Sequence, residues 1–154
     1  MRFKKWQWGM GAVVSLTHNA LLVMGLFSLL YGLLPFALEI NQSFIAAILT
    51  IIGYSINDTV VIFDRIREYQ ALYPKRTIGD NINKAINSTL SRTLNTSGTT
   101  FVTLLAIFLF GGETIRGFVF ALMFGIIVGT YSSVFVATPV AYEMMTKKGN
   151  EKKN

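Results

Sequence analysis

Residues 44–63 form a mostly apolar run in which Asp58 is the one charged residue. Twenty residues of helix rise about 30 Å, the thickness of bilayer hydrocarbon. Lipid supplies no hydrogen bonds to a backbone, so an isolated run of this kind is stable there as a helix. A carboxylate at that depth costs roughly 2.5–3.5 kcal/mol on insertion scales. An intramembrane Asp therefore points to proton or ion handling. The plainer alternative is a structural Asp that hydrogen-bonds a neighbouring helix.

Three more runs of the same kind accompany it: residues 8–34, closed by Pro35; about 95–111, with its most apolar part at 101–110; and 118–142, with Pro139 near its end. The run at 95–111 crosses a bilayer only with its Ser/Thr/Gly shoulder, 95–100, which suits an end facing protein or a wet cavity. Charged residues make up 14% of the chain, against about 25% in an ordinary soluble domain. The fold class that follows is all-α integral membrane, a single transmembrane domain over residues 1–154. Basic Arg2, Lys4 and Lys5 ahead of the first run resemble a signal peptide. The run is too long for one and no small-residue cleavage site closes it, so it reads as a retained span.

Four spans place both termini on one side. That side then holds every Lys and Arg except Arg116: the N-terminal three, the loop 64–94, and the basic tail 146–154. By the positive-inside rule it is the cytoplasm. The same distribution assigns the net charge of +6 to topology rather than to nucleic acid. Inside the loop, Thr77 and Asp80 fit a helix N-terminus, followed by Ile78, Ile82, Ala85, Ile86 and Thr89 at helical spacing. This predicts an amphipathic cytoplasmic helix, either on the inner membrane surface or packed on the bundle, running into the third span.

On the second span, Thr50, Tyr54, Asn57 and Asp58 share one helical face. On the third, Arg92, Thr96, Thr99 and Thr103 do so, with Asn95 beside them. The first span carries a shorter stripe, Gly11, Ser15, His18 and Asn19. Such stripes are expected to face one another, since lipid cannot satisfy them. Arg92 can reach up from the interface and is the natural counter-charge for Asp58, or else a plain positive-inside anchor. On the fourth span Gly117, Ala121, Gly125, Gly129, Ser133 and Ala137 recur every four residues, a small-residue ridge for close helix packing. Leu122 is expected to face outward. No phosphate-binding Gly-rich loop is present, and one His supports neither a catalytic triad nor a metal site. The chain is expected not to be an enzyme and to use no cofactor.

The string Gly53-Tyr-Ser-Ile-Asn-Asp-Thr-Val-Val-Ile-Phe-Asp-Arg-Ile-Arg-Glu68 closely resembles the signature of SecF and of the SecF half of fused SecDF proteins. The resemblance continues through Asn87–Ser97, Phe110–Glu113 and Gly129–Ser133, and covers nearly all of residues 3–145. It implies a protein-export membrane protein of the resistance-nodulation-division (RND) superfamily, an accessory subunit of the Sec translocon driven by the proton motive force. Protons are then the coupling ion. Asp58 and Arg92 match the family's proton-relay residues, with Asn57, Tyr54, Thr96, Thr99 and His18 as the supporting polar network. The implied partners are SecD or the SecD half, the remaining SecF spans, the SecYEG translocon, exported preprotein and the lipid bilayer, with no nucleic acid. The implied location is the bacterial cytoplasmic (inner) membrane.

A SecF unit has six spans and a large outer domain between its first two. This chain resembles the last four spans, and is expected to be a C-terminal portion or a split subunit. Where the family commonly has His-Asp on its third span, this chain has His18-Asn19. The resemblance leaves two other functions open: a structural subunit of the translocon that conducts no protons, and a proton-driven RND small-molecule exporter.

Overall fold

The structure, a computed structural model, describes residues 6–34, 36 and 38–151, with side chains described as far as residue 146. Arg2, Lys4, Lys5, Pro35, Lys152 and Lys153 lie outside the described residues. Helix α1 runs Trp6–Leu30, α2 Gln42–Leu72, α3 Ile78–Phe110 and α4 Glu113–Ser132. A π-helical turn, Ser133–Ala137, joins α4 to α5, Thr138–Glu151, so that the last span is one rod. All four spans are long and apolar enough to cross a membrane.

The sequence sets the ends of these helices. Asn41 Oδ1 accepts the Phe44 N–H at 3.1 Å and starts α2. Thr77 Oγ1 accepts the Asp80 N–H at 3.1 Å and donates to the Asp80 carboxylate at 2.7 Å, starting α3. Gly32, at φ +76°, turns the chain out of α1 in the left-handed region that favours glycine. The short α3–α4 turn is made by Gly111-Gly112, where a Cβ on Gly111 would collide with the Ile107 carbonyl.

The helix predicted from Thr77 runs into the third span as expected, and of its two expected placements the packing on the bundle is the one seen. It is the first half of α3, continuous with the third span and packed against the bundle through Ile82 and Ala85. The second helix likewise extends past its apolar run, to Leu72.

Helices α2 and α4 pack along each other at the centre, and α1 and α3 flank that pair on opposite sides. The small ridge explains the close pairing: Gly125 lies directly against Ile51, and Gly129 against Ser55. Gly117 sits at the end of the ridge and lines a cavity of about 250 Å³ with Phe27, Glu39 and Glu113. Leu122 faces inward: it is 8% exposed and belongs to an apolar cluster with Ile51 and Phe44. It follows Ala121 round to the α2 side, because the buried arc of α4 is wider than the every-fourth ridge alone.

The π turn has a local cause. Pro139 has no N–H to give the Phe135 carbonyl, and its ring crowds that carbonyl. Thr138 Oγ1 donates instead to Ser133 O at 3.2 Å and holds the widened turn.

The buried residues of the bundle fall in three zones, two apolar clusters and a polar layer, and α3 reaches the second cluster only through the partly buried Leu104. One apolar cluster holds Trp8, Phe63, Ile66, Ile82, Ala85 and Ala141; the other holds Val23, Phe27, Phe44, Ile51 and Leu122. Between them lie Ser15, Asn19, Ser55, Asp58, Thr59, Thr93, Ser97, Ser132 and Ser133, all buried. The zones are met in opposite order on successive helices, which makes the bundle up-down-up-down with a polar layer at mid-height.

Candidate functional site: a buried polar layer around Asp58

The polar layer is built by small hydroxyl residues that let backbones approach and then bond across the gap. Ser15 Oγ and Ser132 Oγ are 2.8 Å apart, joining α1 to α4. Asn19 Nδ2 donates to Ser55 Oγ at 2.8 Å, joining α1 to α2. Thr59 and Ser133 hydroxyls lie 2.9 Å apart, joining α2 to the π turn. Ser97 and Thr130 hydroxyls lie 2.6 Å apart, joining α3 to α4. His18 is half-buried, with Nδ1 3.4 Å from Ser132 Oγ.

Asp58 stands in this layer between Ser55 and Thr59 and is 3% exposed. Its Oδ2 is buried with no hydrogen-bond partner among the described residues, as are Asn19 Oδ1 and Thr93 Oγ1. Interhelical hydrogen bonds in membranes average about 0.6 kcal/mol, so those between Ser15 and Ser132, Asn19 and Ser55, Thr59 and Ser133, and Ser97 and Thr130 together contribute roughly 2–3 kcal/mol. One ionised Asp at mid-span costs about the same amount. Asp58 therefore offsets most of what the layer's bonds contribute, and stability gives no reason for it to be there.

Arg92 does not form an ion pair with Asp58. The side chain is exposed, and the described ion pairs join Arg65 to Glu68, Arg67 to Asp64 and Arg116 to Glu113.

The supporting residues divide. Tyr54 is half-buried, its hydroxyl 3.5 Å from Thr100 Oγ1. Asn57 is exposed and turned away from the layer. Thr96 is half-buried and Thr99 exposed, and their hydroxyls donate to Arg92 O and Asn95 O at 2.9 Å on their own helix. The inward polar residues of α3 are instead Thr93 and Ser97, and those of α2 are Ser55, Asp58 and Thr59. The polar stripe that starts at Thr50 points outward: Thr50 is exposed and its hydroxyl is satisfied by Ala46 O at 2.8 Å. A threonine that bonds back to its own turn tolerates an outward position. The usable signal was the repeat of buried positions 44, 47, 51, 55, 58, 62 and 66, which selects Ser55 over Thr50.

Exposed polar side chains that do not bond back to their own helices remain on α2 and α3, namely Asn57, Arg92 and Asn95. Lipid does not satisfy such groups, which marks their surroundings as a face for protein or water.

Residues 1–147 match the family described as "Protein export membrane protein SecD/SecF, C-terminal". The protein translocase subunit SecF of Rhodothermus marinus is 56% identical over 147 residues, which are 96% of this chain and 47% of that protein. The SecF of Koribacter versatilis is 51% identical over 138 residues, 88% of this chain and 33% of that protein. A crystal structure of SecDF in a super-membrane-facing form superposes with a TM-score of 0.88 at 39% identity, over 96% of this chain and 19% of that one. The chain thus spans less than half the length of these relatives. With four spans in the same arrangement as that structure and a family match over nearly its whole length, this multi-pass membrane protein belongs to the SecD/SecF C-terminal family.

Proposed function

We propose that this chain forms the last four spans of a SecF unit and acts in a proton-motive-force-driven accessory subunit of the Sec translocon that assists protein export. The observation that carries this reading is the buried Asp58 side chain, its Oδ2 without a hydrogen-bond partner among the described residues, between two apolar clusters. A titratable group so placed is sealed by apolar packing at both ends, and a proton gains access only when the helices around it shift. Alternation between two packings, each opening Asp58 to one side, is the two-state element a proton gradient can bias. Arg92, exposed on the neighbouring α3, is the basic residue this reading assigns to the relay beside Asp58.

The exposed Asn57, Arg92 and Asn95 support a protein neighbour beside them, which we assign to SecD or the SecD half; the likeness to a SecDF structure points the same way. The remaining SecF spans, SecYEG and the preprotein are the further partners of this reading. The test is preprotein translocation into vesicles with and without an imposed proton gradient, comparing wild type and Asp58 variants in the complete assembly.

In this reading the chain sits in the bacterial inner membrane with both termini in the cytoplasm. Single cysteines at Gln42 and at Lys148 are expected to react with an impermeant maleimide from opposite sides, Lys148 from the cytoplasm. Reaction from the same side would reject the arrangement.

A further inference from the structure

A groove runs along the outside of the α3–α4 pair and takes no part in the polar layer's chemistry. It consists of adjoining cavities of about 420 and 600 Å³ that share Leu90, Val134 and Phe135. The deeper part is walled by Leu94, Phe101, Ile127 and Tyr131. Two of its polar groups, Ser97 and Thr130, bond each other at 2.6 Å, which leaves the Tyr131 hydroxyl as its free polar group among the described residues. From Leu90 to Phe101 this apolar wall rises about 16 Å, close to the roughly 15 Å depth of one leaflet's hydrocarbon.

Toward the start of α3 the lining turns polar, with Asn83, Asn87 and Thr138. Asn83 and Asn87 are exposed, and no described residue hydrogen-bonds to either amide. Lys84 is exposed on the same turn. The nearby Asp80 carboxylate is engaged by Thr77 Oγ1 at 2.7 Å.

We infer that this groove binds one glycerophospholipid, an acyl chain lying along Leu90–Phe101 and the phosphodiester held by Asn83, Asn87 and Lys84. A spanning helix needs an apolar wall of about 30 Å, twice what the groove offers. An amphiphile with a single polar end matches both the length and the change in lining. Basic and amide groups where a cavity between helices meets the interface are suited to a lipid phosphate. The occupant's chain rests on Val134 and Phe135 of the π turn, so the lipid buttresses the turn that carries Ser133.

The test is native mass spectrometry of the complete assembly, released by mild detergent from phosphatidylethanolamine–phosphatidylglycerol vesicles. A Cβ at Gly98 meets nothing within 4 Å, so Gly98→Phe fills the groove without disturbing the fold. Wild type is expected to hold one phospholipid more per chain than Gly98→Phe. An Asn83→Ala/Asn87→Ala pair is expected to cut retention at least five-fold. Leu21→Phe, exposed on α1 away from the groove, is expected to match wild type. Equal lipid counts for wild type and Gly98→Phe would overturn the inference. So would a cysteine at Gly98 that cross-links to another helix of the assembly, which would show protein in the groove.

Discussion

An Asp58→Asn variant is expected to insert and assemble like wild type and to lose the whole gradient-dependent increment of preprotein export. The substitution keeps the size and shape of the side chain while removing its proton. Asp58 Oδ2 is buried and accepts no hydrogen bond from the described residues, so an amide nitrogen in its place breaks no existing bond. It also removes the cost of an ionised group at mid-span, roughly 2.5–3.5 kcal/mol, so the folded bundle is expected to be at least as stable. A purely structural Asp would give the opposite pattern, with reduced stability and no selective loss of gradient dependence. Asp58→Glu keeps a titratable group but adds a methylene where the side chain is 3% exposed, and partial activity is expected. Export by the Asn variant that still rises fully with the gradient would remove the proton-relay reading and leave an accessory subunit that assists export by contact alone.

The neighbours of Asp58 refine this expectation. Asn19–Ser55 and Thr59–Ser133 clamp α2 one turn before Asp58 and one residue after it. Ser133 opens the π turn, where α4 departs from regular hydrogen bonding. π turns recur at functional sites because the extra residue per turn can migrate along a helix without unfolding it. Movement of α5 relative to α4 would thus be felt first at Thr59, beside the carboxylate.

Much of this arrangement was legible in the sequence, and what was not has physical causes. The four apolar runs fixed the helices because hydrocarbon leaves the backbone no alternative. Asp58 and the Gly125–Gly129 ridge stood out for the same reason, as residue types that hydrocarbon does not favour unless packing or function calls for them. The inward face was harder. Thr50, Thr96 and Thr99 look polar in sequence, yet their hydroxyls return to carbonyls of their own helices and so carry no information about direction. Arg92 was expected to meet Asp58, since a long side chain can reach from the interface. In the structure it stays on the exposed side of α3, where a neighbouring subunit has access to it. The π turn was signalled by Pro139, but the sequence alone does not separate a kink from a widened turn.

Gly125→Leu is expected to prevent the α2–α4 pairing altogether, and even Gly125→Ala is expected to cost about 1–3 kcal/mol. A Cβ at Gly125 would occupy the space of the Ile51 side chain, overlapping its Cγ1 and Cδ1. Ile51 is 2% exposed and belongs to an apolar cluster, so it has nowhere to move. At Gly129 a Cβ would sit 3.4 Å from Ser55 Cβ and 3.7 Å from Asn19 Nδ2, which is close to ordinary contact. Gly129→Ala is therefore expected to be much milder than Gly125→Ala, whereas Gly129→Leu would drive into the Asn19–Ser55 bond. Leu122→Phe also overpacks a filled cluster and is expected to destabilise, since Leu122 lies inside the bundle. The specific check is a rescue. Ile51→Ala should be destabilising alone through a cavity, yet should recover stability when combined with Gly125→Ala, because the new methyl fills part of the space vacated. Thermal unfolding of the purified assembly in detergent reads all of these variants. Independent, additive losses for Ile51→Ala and Gly125→Ala would show that the two helices do not meet at this point and would discard the packing that places Ser55, Asp58 and Thr59 on the inward face.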